Sequence, residues 1–197
     1  MSGHIFVVSA PSGAGKTSLL KSIIQDSNQL RVCVSHTTRA PREGEKDGRD
    51  YHFVDDQTFQ TMLANDAFVE YAKVFDYYYG TSKQAINALL EQGYHVILEI
   101  DWQGARQARD IYQDQCTSIF IKPPSLEALR QRLYQRDLDT AQVIDRRMQE
   151  AQEAINYCDE YDHVIVNACF NQAKQQLEQL MTAPAQPINC ETMKHSC

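Results

Sequence analysis

Residues 7–18 read VVSAPSGAGKTS, and this stretch constrains the fold more than any other in the chain. Ahead of it, HIFVVSA (4–10) is a short β-branched run of the kind that forms a buried strand. Behind it, TSLLKSIIQDS (17–27) places Leu19, Leu20, Ile23 and Ile24 on one helical face. A strand running through a glycine turn into a helix aims several backbone N–H groups, and the positive end of the helix, at one point in space. Phosphate oxygens bind at such a point. The usual spacing is G-x-x-x-x-G-K-[ST], and Ala10 stands here where the first glycine belongs. With a negative φ a methyl at that corner costs little, so the position requires a small residue rather than glycine. Ala10, Pro11, Ser12, Gly13, Ala14, Gly15, Lys16 and Thr17 therefore predict a nucleotide phosphate loop. Lys16 would reach the β- and γ-phosphates, and the Thr17 hydroxyl could ligate Mg²⁺. An accidental glycine turn would not explain the GKT core in this strand–loop–helix context.

Three further apolar runs read as central strands: HVILEI (95–100), SIFIK (118–122) and HVIVN (163–167). Each precedes a helix-like stretch, and that alternation predicts an α/β fold of the P-loop NTPase type, a central parallel sheet between two helical layers. Two regions interrupt it. Residues 36–82 are rich in Tyr, Arg and acidic residues and read as an inserted lobe of short strands around one helix near 57–64. Residues 126–157 read as two helices separated by DLDT, with Asp139 or Thr140 able to cap the second. That segment is arginine-rich and joins two core strands, so it is placed to act as a lid. The core is then about 1–35, 83–125 and 158–181, and 182–197 form a loose tail.

At 197 residues the chain can bury a sizeable core, and its net charge of −7 argues against a protein that coats nucleic acid. A nucleotide enzyme needs only a local arginine cluster. Six cysteines show neither C-x-x-C pairs nor zinc-ligand spacing, and they read as reduced thiols of a cytoplasmic protein. No stretch approaches the ~20 apolar residues of a membrane span.

The inserted region carries the remaining chemistry. SHTTRAPREGEKDGRDY (35–51) sets Arg39 and Arg42 three apart with Tyr51 beyond, a set that suits a second, smaller phosphate. A solvated charged loop is the alternative there, since five acidic and basic neighbours balance the arginines. EYAKVFDYYYGTS (70–82) supplies Glu70, Tyr79 and Thr81. A carboxylate accepts from both N1–H and the 2-amino group of guanine, while adenine would turn a lone pair toward it. Leaving such a site unpaired discriminates by roughly 10⁴-fold. Ordinary strand packing is the other reading for these tyrosines, Tyr77 and Tyr78 above all. VILEIDWQG (96–104) ends a strand with Glu99 and Asp101, where ligands sit in open α/β sheets.

Taken in order, SAPSGAGKT, VSHTTRAPREGE, YHFV, FVEYAKVFDYYYGTS, EIDWQG and EYDHVIVN resemble the guanylate kinase family over about residues 4–181. The resemblance implies transfer of the ATP γ-phosphoryl group to GMP, with Mg²⁺. It implies that Arg39, Arg42, Tyr51 and Tyr79 hold the GMP phosphate and that Ser35, Glu70, Thr81 and Asp101 hold the guanine. Residues 10–17 would hold the ATP phosphates, Asn167 would contact the adenine, and Arg136 and Arg147 would close over the transferring group. Thr17 would ligate Mg²⁺, with Glu99 or Asp101 acting through water. Three departures stand out: Glu99 where aspartate is more usual, Asp137 where a glycine often follows the lid arginine, and Ala168-Cys169 where an acidic pair is more usual. Two other readings compete, a catalytically silent guanylate-kinase-like binding module and a ribose 1,5-bisphosphate kinase. The intact Gly15-Lys16-Thr17 disfavours the first and the guanine-reading set disfavours the second. A motor or signalling GTPase would need an N-K-x-D guanine motif, which the sequence lacks.

Overall fold

The computed structural model describes residues 3–74, 76–135 and 140–182. The chain opens with β1 (Ile5–Ser9), α1 (Lys16–Gln25) and β2 (Leu30–Val32). It then builds β3 (His36–Thr37), β4 (His52–Phe53), α2 (Asp56–Ala64), β5 (Phe68–Val74) and β6 (Tyr77–Ser82). Next come α3 (Lys83–Glu91), β7 (His95–Glu99), α4 (Trp102–Tyr112) and β8 (Cys116–Lys122). The last elements are α5 (Leu126–Gln135), α6 (Ala141–Asn156), β9 (His163–Val166) and α7 (Phe170–Thr182).

The main sheet has the order β2-β7-β1-β8-β9, and all its pairs are parallel. Strand periodicity explains the layers: along β1, Ile5 and Val7 face a core shared with α3 and α4, while Phe6 and Val8 face one shared with α1 and α7. A sheet buried on both faces reads as continuous apolar runs, and for that reason β1, β7, β8 and β9 were legible. The fifth strand, β2, was not expected. Its three residues, Leu-Arg-Val, lie at the sheet edge, too short to carry a pattern.

The inserted region folds as a second sheet, β4-β3-β6-β5, with an antiparallel β5–β6 pair along one edge. Phe59 of α2 is fully buried there, stacked on Phe68 and Tyr78 at ring distances of 4.6 and 5.4 Å. The Asp55 carboxylate starts α2 by accepting from Thr58 N at 2.7 Å. Helices α5 and α6 share a separate small core of Leu129, Leu133, Ile144 and Met148. Thr140 caps α6, while Asp139 and Arg136 lie outside the described residues. Cys33, Cys116, Cys158 and Cys169 carry free thiols. Burial pushes the Cys33 thiol up to about 12 and that of Cys116 to about 11, so neither is a ready nucleophile.

Candidate active site

The loop after β1 answers the question raised by its missing glycine. Among the described residues, the only non-glycines with positive φ are Asp66 and Gln113, so the corner at Ala10 lies in ordinary backbone space. Its methyl packs against the core beneath α1 and α7. Gly13 and Gly15, in contrast, have φ of 90° and 99°, where a side chain is strained. Gly15 caps α1, and a β-carbon there would lie 2.5 Å from the Asn167 amide nitrogen. That amide donates to Ala14 O at 2.8 Å, so the end of β9 braces the loop.

Lys16 and Thr17 start α1 and face the carboxyl end of β7. The Lys16 ammonium donates to Ile100 O at 3.3 Å and stands 4.0 Å from a Glu99 oxygen. The Thr17 hydroxyl donates to the same Glu99 oxygen at 2.5 Å. A hydroxyl and a carboxylate beside a phosphate cradle are the hard oxygen donors that Mg²⁺ takes, usually one or two from protein with the rest from phosphates and water. The donor set fits the ion.

Across the cleft, Glu70 on β5 is 3% exposed. A register shift between Phe68 and Glu70 breaks the strand's alternation and turns this carboxylate inward. Thr81 on β6, fully buried, donates to Glu70 Oε1 at 2.5 Å. Since that uses Thr81's one proton, its 2.8 Å contact with Ser35 must have Ser35 donating. Burial, reinforced by the nearby Asp101 charge, lifts the Glu70 carboxyl to about 7 against the pull of the Thr81 bond. Asp101 caps α4 through Gly104 N at 2.9 Å, and burial raises its carboxyl too.

Arg39, 9% exposed, gives two bonds to Glu45, at 2.9 and 3.0 Å. Glu45 also accepts from Arg42 N at 2.8 Å, which ties the 39–45 loop into a ring. Burial opposes ionisation of Glu45, but these bonds outweigh it and hold the carboxyl below its usual range. Tyr51 and Tyr79 meet edge to face at 5.8 Å, and burial pushes the Tyr51 phenol up to about 12, so it remains a donor.

One cleft of about 930 Å³ joins these parts. Of the residues expected at the site, the loop positions Ala10 to Gly13 and Gly15 to Thr17 line it, together with Ser35, Arg42, Tyr51, Glu70, Tyr79, Glu99 and Asp101. Ala14, Arg39, Thr81 and Asn167 are buried and do not line it. On α6 the cleft-lining arginine is Arg146, while Arg147 is half-buried next to it. The sequence reading missed Arg132, whose guanidinium donates to Asn167 O at 2.9 Å and so joins α5 to the loop brace. Its place four residues before Arg136 in the sequence was the available signal. It also missed that Glu45 holds Arg39 in particular and that Gly104 gives its N–H to Asp101.

The sequence matches the family model described as guanylate kinase over residues 2–184. The guanylate kinase of Alkalilimnicola ehrlichii is 49% identical over 98% of each chain. That of Francisella tularensis is 52% identical over 89% of this chain and 94% of its own. The chain belongs to the guanylate kinase family. The solved structure of guanylate kinase from Anaplasma phagocytophilum superposes with a TM-score of 0.76 at 33% identity, covering 95% of this chain and 88% of that one. Family membership and the three-layer fold thus agree. No helix among the described residues is long and apolar enough to cross a membrane.

Proposed function

We infer that this chain transfers the γ-phosphoryl group of ATP to GMP, giving ADP and GDP, in the purine metabolism of the cytoplasm. The observation that carries the reading is one cleft with a phosphate loop on one wall and a buried carboxylate–hydroxyl corner on the other. ATP would lie on residues 10–17 and GMP on the small sheet, with residues 36–82 as the GMP lobe and α5–α6 as the lid.

A GMP phosphate oxygen attacks the γ-phosphorus in line, and the bond to the β–γ bridging oxygen breaks as ADP leaves. The acceptor is already an anion, so no side chain need remove a proton. The chain's task is to hold two mutually repelling anions in line and offset their charge. Lys16 and the backbone N–H groups of 13–17 neutralise the donor phosphates. Arg39, Arg42, Tyr51 and Tyr79 neutralise and orient the acceptor. Arg136 and Arg147 would bring further charge as the lid closes and water is excluded. Thr17, with Glu99 acting through water, would hold Mg²⁺, which would supply charge neutralisation on the donor phosphates. Guanine would be read by Glu70 at N1–H and the 2-amino group, and by Ser35 once its proton swings from Thr81 to O6. Asp101 completes that corner.

The test measures ADP release from Mg·ATP with GMP, AMP or ribose 1,5-bisphosphate as acceptor. Strong turnover with GMP and almost none with AMP is expected. Turnover with the sugar bisphosphate alone would overturn the base assignment, and silence with all three in a protein that binds GMP would point to a binding module.

A further inference from the structure

The first turn of α4 contains a glycine that its backbone does not require. Gly104 is buried and helical, with no positive φ, and glycine in a helix costs about 1 kcal/mol relative to alanine. A β-carbon at Gly104 would lie 2.3 Å from Glu70 Oε2, 3.0 Å from Cδ and 3.4 Å from Cγ. The carboxylate therefore rests on the backbone of α4, in the space a side chain would fill.

A second contact holds the two elements together. One turn further along, the Gln107 side chain accepts from Tyr71 N at 3.1 Å and donates to Tyr71 O at 2.8 Å. Tyr71 follows Glu70 on β5, the edge strand of the small sheet, so Gln107 pairs with that edge as a neighbouring strand would. This clamp fixes the distance from α4 to β5. On its far side Glu70 is held by the fully buried Thr81. The direction left open to the carboxylate is the cleft itself.

We propose that Gly104, held at fixed distance by the Gln107 clamp, is a specificity-determining residue: its missing β-carbon seats the Glu70 carboxylate where it can pair with both donors of guanine. The inference rests on the reading of Glu70 as the guanine acceptor. Gly104 N also fixes Asp101, so one residue aligns both acids of the corner.

The experiment measures kcat and KM for GMP and for IMP, which keeps N1–H but lacks the 2-amino group, at saturating Mg·ATP. Gly104→Ala is expected to raise KM for GMP roughly a hundredfold, the scale at which one added carbon in a binding pocket discriminates, and to shrink the preference for GMP over IMP. ATP affinity, read by calorimetry, should stay within about twofold, since no ATP contact moves. Helix propensity alone predicts instead a slightly more stable protein with an unchanged GMP-to-IMP ratio. Adding Gln107→Ala lets α4 retreat and should recover part of the lost preference, as should Glu70→Asp, which shortens the carboxylate. An unchanged ratio in Gly104→Ala overturns the proposal. If Gly104→Ala does not fold, Gln107→Ala alone decides it: a fall in the GMP-to-IMP ratio supports the clamp, and an unchanged ratio overturns it. Glu70→Gln separates the two failures. If it leaves the GMP-to-IMP ratio intact, the guanine reading of Glu70 is wrong; if it lowers the ratio while Gly104→Ala does not, only the seating by Gly104 is wrong.

Discussion

On the proposed reading, Glu70 gives up stability to hold a carboxylate where guanine would bind. Its carboxyl sits at about 7, above the usual value, chiefly because burial penalises the charge. In the free protein the acid is therefore mostly protonated below that pH and cannot accept two guanine donors. The expected kcat/KM for GMP falls on an acid limb starting near pH 7, and pH–rate profiles should show the limb gone in Glu70→Gln. The same shift has a stability consequence. A carboxyl raised on folding binds more protons folded than unfolded, so its contribution declines as pH rises from the unfolded value through about 7. Above that window the full penalty of a buried anion applies. Glu70→Gln, which removes it, should stabilise the ligand-free protein at pH 8 by on the order of 1–3 kcal/mol, with no such gain at pH 4. Denaturant melts at the two pH values check this, and a variant less stable at pH 8 would refute it.

At the level of elements, the phosphate loop is braced from two sides. Asn167 at the end of β9 donates to Ala14 O, and the α5 leucines close over Gly13, where a β-carbon would meet Leu133 at 2.9 Å. Arg132 ties the two braces together through Asn167 O. Asn167→Ala strips the buried Ala14 carbonyl of that bond, a loss of about 1–3 kcal/mol. The expected outcome is weaker ATP binding in calorimetry with GMP binding little changed. Equal losses for both nucleotides would show that the brace serves the whole fold rather than the loop.

For the molecule as a whole, the proposed reaction needs the phosphate loop and the small sheet to present their ligands to each other across one cleft. Lys16→Met removes the loop's charge without touching any of the three hydrophobic cores, so turnover should collapse by several orders of magnitude. Circular dichroism and GMP affinity should remain those of the parent. A near-normal rate would defeat the assignment of Lys16.

The sequence by itself determined what local pattern can determine. The strand–loop–helix order around Gly13 to Thr17, the apolar runs of β1, β7, β8 and β9, and the carboxylate and arginines of the inserted region were all readable along the chain. Each follows from side-chain chemistry or a period of a few residues. It also left Ala10 as a question of dihedral angle, which the backbone settled. Only the tertiary structure decided what depends on approach between distant segments. β2 exists because β7 offers it an edge, Asn167 reaches Ala14 across 153 positions, and Glu45 turns out to hold Arg39. Gly104 is the clearest case: in sequence it is one more glycine in a helix. Its meaning lies in the 2.3 Å that separate an absent β-carbon from a carboxylate on a strand of the small sheet. Packing excludes atoms, and exclusion leaves no mark in a sequence except a small residue with no local reason to be there.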